Sequence, residues 1–227
     1  MRRTVIYFIL IIFFTLFNFY YRPVEKNQLV TESYQNSSSY VNDLYYSEEL
    51  FKKKIVESKY YYLYEQLLTD IKDGVTTNKI TCKGENCSDG FSQVVEAIIL
   101  DHPELIAYKT VWWKDYKEYL EVHYSSMSKF QNYMGTRRIE REIDIVKRET
   151  EGMSDKEKIL YVYNYVASHN YDRAFTWSDS NQSAYSFFTK GSSVCAGFAK
   201  ASQILFQNVG IHSYLVHGFD HMWNYVE

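Results

Sequence analysis

Apolar side chains recur at helical spacing in several segments of this chain, with polar side chains between them. The segment from Ser47 to Gly74 predicts one helix, because Ser47 and the acidic residues after it favour a helix start and Gly74 favours a helix end. Further helices are predicted over 89–100, over 129–150 and from the capping box of Ser154 and Glu157 onward.

Two segments rich in β-branched and aromatic side chains interrupt these helices. They predict strands over 105–113 and 119–125. The run Val111-Trp112-Trp113 would also suit a platform for carbohydrate or peptide, but an aromatic strand more often packs in a core. We therefore assign no binding site to it.

The last third of the chain predicts a helix with a cysteine in its first turn. Apolar side chains follow Cys195 at helical spacing, and Gly210 stands where a left-handed cap would end the helix. A helix N-terminus carries about half a positive charge and free N–H groups. It therefore favours a thiolate over a thiol and offers hydrogen-bond donors to an oxyanion.

Two predicted strands follow this helix. They cover 211–217 and 221–227 and are joined by a turn at 218–220, so that His221 opens the second strand. A helix that begins with Cys195 and packs on a sheet whose neighbouring strand presents His221 has the geometry of a thiol nucleophile and its base.

Several motifs surround these two residues. They are Gln182-Ser183-Ala184-Tyr185, Val194-Cys195-Ala196-Gly197-Phe198-Ala199, Gly210-Ile211, Gly218 and His221-Met222-Trp223-Asn224. Together they resemble the transglutaminase-like superfamily, relatives of papain-type thiol enzymes. Upstream, Asn170-Tyr171-Asp172 and Asp101-His102-Pro103-Glu104-Leu105 also resemble bacterial members. The resemblance implies an α+β fold in which a catalytic helix packs on an antiparallel sheet, after a helical N-terminal region.

The resemblance also implies a third catalytic residue. Family members complete the Cys–His pair with an Asp or Asn on the strand after the histidine strand, and the sequence stops at Glu227, before such a strand. We therefore expect a chain truncated in its catalytic sheet. Asp220 neighbours His221 and should face the opposite side of the strand, and Glu227 lies about 20 Å further along it. Asp172 and Asp179 are left as open alternatives.

Two functions follow from the resemblance. The first is an acyltransferase, peptidase or amidase that acts on a protein or peptide substrate, including cell-wall peptide, through an acyl-enzyme at Cys195 with His221 as base. The second is a non-catalytic surface module that binds peptide or cell-wall polymer in the same cleft, which the missing third residue favours. By position, Tyr185 lines the cleft or assists the oxyanion. Trp223 lines the cleft or, with Asn224, braces the histidine strand.

The N-terminus predicts a membrane anchor. Arg2 and Arg3 precede an apolar run over 5–21 that contains no charge, and no small residues follow it to favour cleavage. Positive charges stay in the cytoplasm, so the rest of the chain is expected outside. The predicted organisation is an anchor over 1–23, a linker over 24–45, an N-terminal α/β region over 46–128, and a transglutaminase-like domain over 129–227 that is incomplete at its C-terminus.

Charge and cysteine content limit the partners. The net charge is -3, and lysines alternate with acidic residues, so the chain offers no basic surface for nucleic acid. Cys82 and Cys87 are close enough to form a disulfide but could equally be free, and Cys195 is left over.

A zinc site at Cys195 would need the histidines that follow it. These are His212, His217 and His221. No Cys-x-x-Cys or His-Glu-x-x-His spacing supports such a site. We therefore expect neither a metal nor another cofactor.

Overall fold

The computed structural model describes residues 49–84, 87–105, 108–126, 128–173, 181–218 and 220–227. The predicted anchor and linker lie outside these residues. Within the described ranges, no helix is both long and apolar enough to cross a bilayer. All described residues fall in one compact unit.

The described chain combines helices with short sheets. The helices are α1 (Leu50–Ile55), α2 (Tyr61–Lys72), α3 (Phe91–Asp101), α4 (Lys129–Glu149), α5 (Asp155–Ala167), α6 (Ala184–Lys190) and α7 (Cys195–Asn208). The strands are β1 (Thr77–Thr81), β2 (Tyr108–Asp115), β3 (Tyr119–Ser126), β4 (Asn170–Tyr171), β5 (Ser192–Ser193), β6 (Ser213–His217) and β7 (Met222–Val226). This mixture agrees with the predicted α+β class.

The N-terminal region, 49–126, packs α1, α2 and α3 with an antiparallel sheet of order β1-β3-β2. The predicted helix over 89–100 and both predicted strands are confirmed, with slightly shifted ends. Strand β1 was not predicted, because only Ile80 of its five residues is buried and the segment lacks a clear alternation. Cys82 and Cys87 form a disulfide beside this sheet.

The single helix predicted from Ser47 to Gly74 is wrong within the described residues. The chain forms α1, a 3-10 turn over Ser58–Tyr60, and then α2, with Val56 in an extended conformation between them. The carboxylate of Asp101 accepts hydrogen bonds from the N–H groups of Phe51 and Lys52 at 2.9 and 3.0 Å. This cap comes from α3, so the apolar spacing of the segment itself could not reveal it.

The C-terminal region, 128–227, buries a second cluster between α4, α5, α6 and α7. The predicted helices over 129–150 and after Ser154 are confirmed. The Glu157 carboxylate accepts a hydrogen bond from the Ser154 N–H at 2.8 Å, as the capping box requires. The antiparallel hairpin β6–β7 packs on α7.

A smaller buried cluster joins the two regions. Its members are Leu100, Ala196, Ala199, Leu215 and Met222. They come from α3, α7, β6 and β7, so α3 of the N-terminal region lies against the helix that begins with Cys195.

Candidate active site

Cys195 is the first residue of α7, as predicted, and its thiol is free and half-buried. The turn that follows lies directly against the preceding chain. A Cβ atom at Gly197 would stand 1.9 Å from Ser193 Oγ and 2.8 Å from the Ser183 carbonyl oxygen. Glycine is therefore the residue that lets the first turn of α7 approach this closely.

Buried hydrogen bonds fix the chain just before Cys195. Val194 N–H donates to Asn181 O at 3.0 Å, and the hydroxyls of Ser186 and Ser193 lie 2.9 Å apart. Asp172 N–H donates to Ser193 O at 2.8 Å, and the Asp172 carboxylate accepts from Asn181 Nδ2 at 3.0 Å. Asp172, one of the open alternatives for the third catalytic residue, thus supports the strand before the cysteine.

The backbone N–H of Cys195 already has a partner. It donates to the hydroxyl of Tyr171 at 3.3 Å, and the half-exposed Tyr171 ring lies 5.7 Å from that of Phe198. A substrate oxygen that uses this N–H must therefore share it with the phenol or displace it. Tyr171 belongs to the motif Asn170-Tyr171-Asp172, which by itself gives no indication of this contact.

His221 directly precedes β7, so the strand begins one residue after its predicted start at His221. Its carbonyl accepts a hydrogen bond from Gly218 N–H at 2.8 Å, and its ring stacks on that of Trp223 with centroids 5.8 Å apart. Asn224 Nδ2 donates to Ala199 O at 3.0 Å, which ties β7 to α7. The hairpin that carries His221 is therefore held to the helix that carries Cys195.

Cys195 and His221 line the same cavity, whose volume is about 480 Å³. Cavities of roughly 300–1,000 Å³ are typical of small-ligand sites. The C-terminal region supplies one wall, and the N-terminal region supplies the other through α3 and residues after it, including Trp113. Trp113, which sequence reasoning placed in a core, also packs on Phe91 with ring centroids 4.3 Å apart.

The other candidate residues lie in different places. Tyr185 packs against the buried cluster of the C-terminal region and is not among the described residues that line the cavity. Trp223 is 44% exposed beside His221. Asp220 lines the cavity, whereas the Glu227 N–H pairs with His212 O at the far end of the hairpin. Asp179 lies outside the described residues.

Lys200 is a charged lining residue that sequence reasoning missed. Burial lowers the pKa of this lysine to about 8. A lysine on a helix usually faces water, so its sequence position gives no signal of this placement. Among the residues that the structure describes, no group of three or more His, Cys, Asp and Glu side chains is arranged to hold a metal ion.

The structure is therefore that of an α+β protein with a cleft. The cleft contains a free cysteine at a helix N-terminus and a histidine in the β6–β7 hairpin. The sequence model of the transglutaminase-like superfamily (Transglut_core) matches residues 144–226, the segment that contains both Cys195 and His221. The predicted resemblance is confirmed for this segment, which is similar to the transglutaminase-like superfamily. No curated protein matches the chain.

Proposed function

We propose that the protein is a membrane-anchored, extracytoplasmic thiol enzyme that acts on amide or peptide bonds through an acyl-enzyme at Cys195. The observation that carries this proposal is the shared cavity of Cys195 and His221 inside the segment that matches the superfamily. The anchor and the extracytoplasmic location rest on the apolar run over 5–21 and the arginines before it.

The reaction divides into two steps. The Cys195 sulfur attacks the substrate carbonyl carbon while His221 accepts the thiol proton, and His221 then protonates the leaving amine as the C–N bond breaks. Water or an amine next attacks the thioester, and the C–S bond breaks to restore the thiol. The Cys195 N–H, now bonded to the Tyr171 hydroxyl, is the donor for the oxyanion.

The cavity suits a peptide substrate. Apolar side chains such as Ile99 and Met222 form much of its surface, while Lys200, Glu96 and Asp220 add charges of both signs. A polypeptide, including cell-wall peptide, presents the same combination of amide, apolar and charged groups. The molecule that accepts the acyl group from Cys195 decides the outcome: water gives hydrolysis, and an amine gives transfer.

One observation favours the alternative of a non-catalytic binding module. In the described part of the chain the His221 ring stacks on Trp223, and no carboxylate is hydrogen-bonded to it. Loss of the orienting carboxylate in serine triads costs about four orders of magnitude in turnover. A binding module would keep the cavity without an activated thiol.

The pH dependence of iodoacetamide alkylation at Cys195 tests the proposal. We expect fast labelling that persists below pH 7 in the full chain and is lost in His221→Ala, because the imidazole would stabilise the thiolate. Cys195→Ala gives the labelling blank. His212→Ala, which removes an exposed histidine near the same hairpin, should label like the wild type. Labelling that follows an ordinary thiol near pH 8.5 in every variant would favour the binding module.

A further inference from the structure

Lys200 faces the cavity from the helix that begins with Cys195. It lies on α7 and lines the cavity together with Cys195 and Ala196. Ala199 before it and residues 201–206 after it are buried, whereas Lys200 is half-buried. Since α7 is enclosed on either side of Lys200, the accessible surface of this side chain is the part that opens into the cavity.

The helix directs the Lys200 side chain toward its cysteine end. Side chains of an α-helix tilt toward the N-terminus and lie over the turn before them, which here contains Ala196. At a rise of about 1.5 Å per residue, the α-carbons of Cys195 and Lys200 lie about 7.5 Å apart along the axis. An extended peptide residue spans about 3.5 Å, so a group at the lysine lies within about two residues of a carbonyl at Cys195.

The ammonium group of Lys200 has no counter-ion among the described residues. Within those ranges, its Nζ forms no hydrogen bond or ion pair. Two carboxylates also line the cavity, but Glu96 pairs with His217 at 3.4 Å, and Asp220 forms no ion pair with the lysine. Burial, and not a neighbouring charge, lowers the pKa of Lys200 to about 8, so most molecules still carry this charge at pH 7.

A charge without a partner in an apolar wall destabilises a protein, and such groups concentrate at functional sites. We propose that Lys200 binds a carboxylate of the substrate, so that the cavity selects peptides with a free carboxylate close to the amide that Cys195 attacks. In naming a substrate, this inference rests on the proposed function. An ammonium donates charge-assisted hydrogen bonds to a carboxylate, and apolar neighbours such as Ile99 and Met222 reduce the competition from water. An acidic side chain and the C-terminus of a peptide offer the lysine the same group.

Thiol-reactive peptides that differ in one charge test this site. The full chain is alkylated at pH 7 with bromoacetyl-glycyl-glutamate amide or with its glutamine analogue, which is neutral and of the same size. Bromoacetyl-glycyl-glycine and its amide form a second pair, whose carboxylate is at the chain end. Intact-protein mass gives the rate constant for each probe, and Cys195→Ala gives the blank. We expect one carboxylate probe or both to react about tenfold faster than the neutral analogue, as a hydrogen bond to a charged group allows. The pair that shows the preference identifies the source of the carboxylate.

Variants of the lysine assign the preference. In Lys200→Met and in Lys200→Gln, the ratio of the two rate constants should fall to about one, because neither side chain carries a charge. Lys200→Arg keeps the charge and should keep a ratio well above that of the neutral variants. Lys147→Met removes an exposed lysine from α4 and should show the wild-type ratio, which excludes an effect of net charge alone.

The ratio also separates this inference from the proposed function. Both probes of a pair react with the same thiol, so their ratio does not depend on how strongly that thiol is activated. A wild-type ratio near one for both pairs would overturn the carboxylate site. A ratio that survives in both neutral variants would also overturn it, and would point to another cation such as His221. Slow labelling with the pH dependence of an ordinary thiol, combined with a preference that requires Lys200, would contradict the acyl-enzyme mechanism and support the carboxylate site.

Discussion

The two walls of the cavity are built on different principles. In the C-terminal region, backbone N–H groups and serine hydroxyls hold the chain before Cys195, and the whole arrangement lies within the superfamily match at 144–226. In the N-terminal region, which lies outside that match, two buried carboxylates organise the wall. Asp101 caps α1, and Glu104 binds the His102 ring.

This difference separates two tasks. The C-terminal wall carries the thiol and its histidine, which the superfamily motifs identify. The N-terminal wall faces them with Trp113 and His102, which lie outside the segment that matches the superfamily model. A protein can keep the first wall and change the second, so the choice of substrate and acceptor is expected to depend on the N-terminal region.

The largest expected effect comes from two glycines, one in each region. Gly197→Ala would place a Cβ against Ser193 and the Ser183 carbonyl, and Gly90→Ala would place one 2.2 Å from the Tyr60 ring. We expect each variant to lose about 3 kcal/mol of unfolding free energy, at the upper end of overpacking costs. Denaturant unfolding of both variants measures this loss.

Reactivity of Cys195 distinguishes the two glycines. Under conditions where both variants are folded, Gly197→Ala should slow alkylation of Cys195, because the substitution disturbs the turn that carries it. Gly90→Ala should leave that rate unchanged. An equal slowing in both would show that the N-terminal region also positions the thiol, and the division of tasks between the walls would fail.

Local signals explain which parts of the fold were predictable. The Ser154 capping box, the start of α7 at Cys195 and the hairpin that leads to His221 depend on neighbouring residues, and the structure agrees with the prediction there to within two residues. The cap at the start of α1 depends on Asp101, which lies about 50 residues away along the chain. Spacing within a segment carries no information about such a contact.

The same limit applies to the site. Cys195 and His221 stood out because motifs surround them. His102 and Trp113 line the same cavity because the N-terminal region packs on α7, whereas Lys200 lies on α7 itself. The sequence contained one signal for the pair, His102-Pro103-Glu104, since proline favours a turn that would bring the two side chains together.

Lys200→Met gives the next largest effect and tests how far the two walls exclude water. Burial lowers the pKa of Lys200 to about 8, so at pH 7 its charge is retained at a cost in the folded state. We expect the Met variant to gain about 1–2 kcal/mol of unfolding free energy at pH 7, less than the full shift implies, because the side chain is only partly buried. Between about pH 8 and 10.5 the unfolded chain binds more protons at this position than the folded chain, so wild-type stability rises with pH and the gain shrinks.

Urea unfolding at pH 7 and pH 10 measures this gain. Lys147→Met, at an exposed position on α4, is the matched control and should show little change at either pH. A gain for Lys200→Met that is the same at both pH values would mean that burial of the apolar methionine side chain, and not removal of a costly charge, stabilises the variant. In that case the cavity admits enough water to solvate the ammonium group.

The smallest effect concerns an ion pair between the two regions at the rim of the cavity. Glu96 of α3 and His217 of β6 lie 3.4 Å apart, and both side chains are nearly half exposed. Exposed pairs contribute about 0–1 kcal/mol, so Glu96→Gln should change the free energy of unfolding by less than about 0.5 kcal/mol. Glu121→Gln, which removes the partner of His123 inside the N-terminal sheet, is the control for a carboxylate–histidine pair within one region.

If Glu96→Gln instead cost well over about 1 kcal/mol and its control did not, the rim contact would hold the two walls together. The buried cluster around Leu100 and Leu215 would then be insufficient to join them, although burial of each such side chain is worth about 1.5–3 kcal/mol.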